Sequence, residues 1–300
     1  MAPKLYIHCG VQKTGSTLLQ ETVRALAPTL KDDGLRVIPR EALDASSFFD
    51  YHCRFRDRRP VDANLWMRLA EEWLESHLVR HRPKSVLISH EYLLGSAYRQ
   101  FFFRAGEAAR HLFEGFSGLG WEVTLIIYTK RQDRLIESMF RQRFRRTDPP
   151  SLKAFLSSLP WQAMDWLKLI RSLCRAMPRS RIVIRPAEII RRGEPVFIRD
   201  FLSTCGIQYK GEIPIPEETN ATLSKEAIVT RYPELLLERK ALFPQEVVAR
   251  SGGPLDALPD TLVPKAFLGR VLAYHHESNR KLGRTLLAKF PEADYAPDRL

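Results

Sequence analysis

Cysteine is scarce in this sequence, and the four that occur stand far apart, at Cys9, Cys53, Cys174 and Cys205. No CxxC pair is present, so neither a metal-binding spacing nor a disulfide framework is encoded, and the cysteines suit a reducing compartment. No apolar run is long enough to span a membrane, and no secretory leader pattern opens the chain. A soluble, cytoplasmic protein is the expectation. Internal repeats and low-complexity tracts are lacking too. The 300 residues can bury one large core, and 1–300 are expected to form a single α/β domain with a helical C-terminal part. Negative charge is the scarcer sign, with 35 Asp+Glu against 47 Lys+Arg and a net charge of +12. Such a surface favours anionic partners. No zinc-finger spacing, RNP-type aromatic motif or long lysine run supports nucleic acid. An anionic cofactor or an acidic glycan fits better, and a solvated arginine-rich surface accounts for most of the charges.

What is present begins at Lys4–Ala25, KLYIHCGVQKTGSTLLQETVRA. Leu5, Tyr6 and Ile7 suit a buried strand. Gly10 and Gly15 bracket a turn where the backbone must fold tightly or approach a ligand. Ser16 and Thr17 stand where a helix begins, and Leu18, Leu19, Thr22 and Val23 continue at helical spacing. A strand, tight turn and helix start aim free backbone N–H groups and a positive helix end at one point, which suits a phosphate. The stretch GVQKTGST is close to the phosphate loop GxxxxGK[ST], but Ser16 stands where that loop has its lysine. The only lysine here is Lys13, two residues before Gly15. The loop is built for a nucleotide phosphate, though not for ATP in the usual way.

Farther along, the first helix is expected to stop before Pro28, and Leu35–Ile38 reads as a short strand. Ser46–Pro60 mixes aromatics with His52, Arg54 and Arg56 and reads as a loop near the site. Asn64–His81 has the pattern of an amphipathic helix. Ser85–Ser89 reads as a buried strand ending in His90 and Glu91. Ligands of α/β sheets lie beyond the carboxyl ends of strands, so these two are candidate general bases. The alternative is that both cap the next helix. A helix is expected over 98–116, and Val123–Tyr128, the most apolar run, reads as a central strand. The helix after it begins at Lys130. Its Arg131, Arg134, Ser138, Arg141 and Arg145 fall on one face by spacing. For Arg141 and Arg145 a solvated basic face is the preferred reading. Helices follow at 151–158 and 161–177, a strand at Arg181–Ile184, and helices at Val196–Cys205, from Ser224, and at Phe267–Ala288. Residues 251–264 read as an exposed loop.

The segment QKTGSTLLQ resembles the 5′-phosphosulfate loop of sulfotransferases, and His8, Gly10, Lys13, Thr14, Gly15, Ser16, Thr17, Leu19 and Gln20 match its bacterial form HxGxxKTGTTxLQ. The resemblance implies a P-loop-like α/β fold, a parallel sheet flanked by helices, and 3′-phosphoadenosine 5′-phosphosulfate (PAPS) as co-substrate. It assigns Lys13 to the leaving phosphate and Thr14–Thr17, between Gly10 and the helix, to the 5′-phosphosulfate. It gives Ser138 to the 3′-phosphate together with an arginine eight residues earlier. That position is Lys130 here, with Arg131 beside it, so either is a candidate. Lysine keeps the charge but loses the two-pronged hydrogen bonding. At the strand end, the bacterial relatives favour Glu91 as base and the cytosolic ones His90. The motifs Arg185–Glu188 and Asp200–Ile207 also resemble the family, more as structure than as catalysis, and Asn220–Glu226 and Glu277–Arg280 are similar to it as well. Metal-free transfer of a sulfuryl group to a hydroxyl or amine acceptor, a carbohydrate first among them, is the implied activity. Two other classes fit the loop: a P-loop kinase or nucleotide hydrolase, and a non-catalytic module binding an anionic ligand.

Overall fold

In the computed structural model, the residues described are 2–55, 59–78, 83–98, 100–145, 148–216, 223–246 and 260–295. The chain opens with β1 (Lys4–His8), α1 (Ser16–Ala25) and α2 (Ala27–Asp32), followed by β2 (Leu35–Val37), α3 (Arg40–Asp44), α4 (Ser47–His52) and α5 (Ala63–His77). Next come β3 (Ser85–Ser89), α6 (Ala105–Gly118), β4 (Glu122–Thr129), α7 (Gln132–Arg143), α8 (Leu152–Ser158), α9 (Trp166–Ala176) and β5 (Ile182–Pro186). The C-terminal part is helical: α10 (Glu194–Thr204), α11 (Lys225–Arg231), α12 (Glu234–Leu242), α13 (Lys265–Tyr274) and α14 (His276–Thr285). The five strands form one all-parallel sheet in the order β2-β3-β1-β4-β5. With β1 in the middle, the loop that follows it opens at the centre of the sheet's carboxyl edge.

Strand side chains alternate between two cores because successive residues face opposite sides. Leu5 and Ile7, Val86 and Ile88, and Val123, Leu125 and Ile127 face one core, which α4–α9 and α13 cover. Tyr6, Leu87, Ile126 and Tyr128 face the other, under α1 and α10. Burial on both faces explains why β4 reads as a continuous apolar run. The C-terminal helices are tied in by polar contacts as well as packing. Gln132 and Asn279 exchange amide hydrogen bonds (3.0 and 2.9 Å), both side chains being buried. Among the described residues, no helix is long and apolar enough to cross a membrane.

Several elements differ from their sequence reading. Pro28 does not merely stop the first helix: it sits in the first turn of α2, where its missing N–H costs nothing. Ser46–Pro60 is not simply a loop, since Ser46 caps α4 by accepting a hydrogen bond from the Phe49 amide. His52 is core: one ring nitrogen bonds the Leu93 carbonyl at 2.7 Å and the other accepts from Trp66 Nε1 at 3.1 Å. Arg54 lies over the Tyr51 ring, and Arg56 is outside the described residues. The helix expected over 98–116 starts only at Ala105, after Phe101 and Phe102 with positive φ of 36° and 56°. The last helix is two, broken at His275, whose ring bonds the Trp161 carbonyl. Ser224 caps α11, while residues 217–222 and 247–259, which hold much of two expected segments, lie outside the described residues.

Candidate active site

The loop between β1 and α1 is shaped by two left-handed residues, Lys13 (φ 71°) and Gly15 (φ 90°). At Gly15 a Cβ would approach the Phe197 ring to 3.0 Å, so glycine answers both to the backbone and to the packing against α10. Gly10 answers to close approach instead, because a Cβ there would run into Ser16 Oγ. Lys13 has no such licence, and this conformation is uncommon for a residue that carries a side chain. It is held from within: Thr14 Oγ1 donates to the Val11 carbonyl (2.6 Å), and Lys130 Nζ donates to the Lys13 carbonyl (3.0 Å). The α1 helix then begins at Ser16 with no side chain capping it, which leaves its first amides and positive end facing outward.

Facing this loop is a cleft of about 420 Å³ whose walls include Lys13, Gly15, Ser16, Thr17, Glu91, Lys130 and Ser138. A second lobe of about 320 Å³ shares Lys13, Gly15, Lys130 and Ser138, adds Thr14, and runs on to Arg134, Arg141 and Arg191. The loop after β1, the residue after β4, the strand end of β3 and the face of α7 thus meet in one place. Gly10, expected with the cofactor-binding residues, packs against Ser16 within the loop and lines neither lobe. Arg141 and Arg145 are not a free solvated face: Arg141 donates to the Leu223 carbonyl and lines the second lobe, and Arg145 lines the first.

Lys130 and Arg131 part company. Lys130 points into both lobes, whereas Arg131 turns away to pair with Asp133 (2.8 Å) and Asp294. The expected five-residue basic face therefore loses its first member. Arg134 lines the second lobe but is partly engaged by the buried Glu188 at 3.3 Å. Glu188 also accepts the Arg131 amide at the start of α7, a structural use of the Arg185–Glu188 motif.

His90 and Glu91 also separate. His90 is buried; its Nδ1 accepts the Tyr92 amide (3.1 Å), which places the proton on Nε2, and Nε2 meets Asp44 Oδ1 at 2.7 Å. Its ring is committed to the fold and does not line the cleft. Glu91 does, with Arg40 Nη1 3.6 Å from its Oε2. His8 is buried too, bonded to Ser89 Oγ at 2.8 Å, and so ties the ends of β1 and β3; Gln20 Nε2 reaches the same Ser89 and braces that end against α1.

The electrostatics follow from cations gathered out of water. Burial pushes the Lys130 ammonium down to about 8, with Glu188 opposing and Lys13, Arg134 and Arg191 reinforcing the shift. Lys13 is also lowered, by burial first and then by Arg145, against the pull of Glu91. Glu91 is raised above the usual carboxylate range by burial, while Arg40, the Ser16 hydroxyl close by and Lys13 work the other way. Burial is the first cause of both lysine shifts, and an anion entering the site would raise both groups again. The sequence did not single out Arg40 and Asp44. The rule that pointed to the end of β3 applies equally to the end of β2 at Val37, three residues before Arg40.

No protein-family model and no curated protein matches the chain. Among solved structures it is similar to a sulfotransferase from Alicyclobacillus acidocaldarius, at 12% identity and a TM-score of 0.45, over 81% of this chain and 96% of that one. It is also similar to the sulfotransferase domain of the Synechococcus PCC 7002 olefin synthase, at 16% identity and a TM-score of 0.37, over 91% and 94% of the two chains.

Proposed function

We propose that the protein is a sulfotransferase that moves a sulfuryl group from PAPS to a hydroxyl acceptor, with a carbohydrate the first acceptor class to try. One observation carries the reading. A glycine-bracketed loop with its lysine before the second glycine faces, across one cleft, a carboxylate at the neighbouring strand end and a separate cationic lobe bearing Ser138. Two anion-binding places suit a nucleotide phosphorylated at both 5′ and 3′ positions, and the carboxylate suits an acceptor that must lose a proton.

In this reading the loop amides and Thr14–Thr17 hold the 5′-phosphosulfate, and Lys130 and Ser138 hold the 3′-phosphate. The acceptor oxygen forms a bond to sulfur as the bond from sulfur to the 5′-phosphate oxygen breaks. The hydroxyl proton passes to Glu91, and the electron pair stays on the leaving phosphate. Lys13 and the positive end of α1 meet the charge that develops there, and interactions that strengthen in the transition state are those that accelerate. Glu91, raised by burial yet kept ionisable by Arg40 and Lys13, suits a base near neutral pH. His90 is left out of the chemistry, because both ring nitrogens are already engaged. Of the two cations after β4, Lys130 is preferred, because Arg131 is neutralised by two carboxylates.

The test is transfer of labelled sulfate from PAPS to a panel of glycans and small hydroxyl compounds. Labelled product that depends on Glu91 is the expected result. Magnesium-dependent ATP turnover without sulfate transfer would support a kinase instead, and glycan binding without transfer a non-catalytic module.

A further inference from the structure

The carboxyl end of β2 brings to the cleft a charged pair that no motif marks. Arg40 is the first residue of α3, entered through an extended Pro39, and Asp44 is the last residue of that helix. Arg40 Nε donates to Asp44 Oδ2 at 3.1 Å, while the other Asp44 oxygen meets His90 Nε2 at 2.7 Å. Arg40 Nη1 lies 3.6 Å from Glu91 Oε2. Because His90 and Glu91 are consecutive, these contacts close a ring: Glu91 backbone, His90 ring, Asp44 carboxylate, Arg40 guanidinium, Glu91 carboxylate. The ring fixes a side chain relative to its own backbone, which a single ion pair cannot do.

We propose that Arg40, anchored by Asp44 and through it by His90, is the positioning residue that sets the direction and charge of the Glu91 carboxylate in the cleft. This rests on the reading of Glu91 as base. Global stability is a poor explanation for the pair. Asp44 is 44% and Arg40 33% exposed, and ion pairs at that exposure contribute little to folding. The effect is local instead, because Glu91 is only 16% exposed and feels its neighbours strongly. Lys13 faces it from the loop, Arg40 and Asp44 from α3, and Arg145 from the end of α7. Lys130 and Glu194 line the far side of the same cleft, and Tyr92 and Tyr98 lie on its own segment. Of the charged groups acting on the Glu91 carboxyl, Arg40 is the strongest that favours ionisation, and Asp44 opposes it. Charge and position can therefore be separated by substitution.

The experiment follows the Glu91 carboxyl directly. Carbon-13 NMR titration of glutamate-labelled protein, assigned by the signal missing in E91Q, is run beside the pH profile of kcat/KM. In R40M the Glu91 midpoint should rise by about one pH unit, the lower end of what a neighbouring opposite charge supplies. The acid limb of kcat/KM should rise with it. R40K should restore most of the midpoint, since the charge returns, but less of kcat, since one ammonium does not span Asp44 and Glu91 as the guanidinium does. D44N should lower kcat without raising the midpoint. An unmoved midpoint in R40M, or a loss of kcat/KM equal at every pH, would overturn the proposal. A midpoint that moves in a protein whose rate has no acid limb would overturn the base reading and leave the coupling of Arg40 to Glu91 standing.

Discussion

The two walls of the cleft are built differently. The wall on the β1 side is contiguous in sequence: Lys13, Gly15, Ser16 and Thr17 arrive together from one strand–turn–helix unit. The wall on the β2–β3 side, Arg40 after β2 and Glu91 after β3, is assembled from residues about fifty positions apart and backed by Asp44 and His90, all joined because those strands are neighbours in the sheet. In the proposed reading, the first wall works by backbone geometry and helix polarity, so glycines and a left-handed lysine matter. The second wall would work by one carboxylate whose surroundings set its charge. A local motif can announce the first kind of site, whereas the second kind exists only after topology has been chosen.

Substitutions on the two walls should therefore fail in different ways. The largest effect belongs to Glu91. E91Q keeps shape and hydrogen bonding but removes the basic oxygen, so turnover should fall by about 10²–10⁴ with nucleotide binding intact. H90N should lower turnover far less than E91Q does, only through a loosened Asp44 behind Arg40, and should also lower the thermal midpoint, because a buried bond to Asp44 and one to the Tyr92 amide are disturbed. A dead H90N beside an active E91Q would reverse the assignment.

Next comes Lys13. K13A should lower kcat by about 10²–10³, the usual loss for one group that stabilises developing charge, and weaken binding of desulfated product much less. Weaker PAPS binding at unchanged kcat would reduce Lys13 to an anchor.

The basic lobe should give a smaller, binding-only effect. K130Q should weaken adenosine 3′,5′-bisphosphate by about 10–100-fold, as loss of a charged hydrogen bond does, while R131Q leaves it nearly unchanged. The pH dependence follows from Lys130, held near 8 in the free protein. Below that pH it is charged and ready for an anion. As pH rises through about 8 the charge is lost, so affinity should fall on the alkaline side. A bound anion raises the same group, so binding at pH 8–9 should take up a proton, measurable by calorimetry in buffers of different ionisation enthalpy. The smallest effect is on folding: G15A, at a left-handed position, should cost about 1–2 kcal/mol in denaturant unfolding.

The same contrast explains what the sequence disclosed. Strands with strong apolar patterns, such as β3 and β4, were legible, and so was the loop after β1, because each is a local signal. His52 was misleading because an aromatic-rich, arginine-rich stretch without clear periodicity resembles a loop, although its histidine satisfies Leu93 and Trp66 in the core. Arg131 was placed with the basic face by spacing alone, whereas its guanidinium is taken by Asp133 two residues on and by Asp294 from the far end of the described chain. The break at His275 likewise depends on a carbonyl more than a hundred residues away.

The central claim is that the cleft holds a nucleotide by two separate phosphates, one on the loop and one beside Lys130 and Ser138. Calorimetric titration of the unmodified protein at pH 7 with adenosine 3′,5′-bisphosphate and with AMP tests it most directly. Binding of the bisphosphate at least about 10-fold tighter than AMP, the worth of one charge-assisted contact, is the result predicted. Equal affinities would contradict a 3′-phosphate site and with it the reading of the whole cleft.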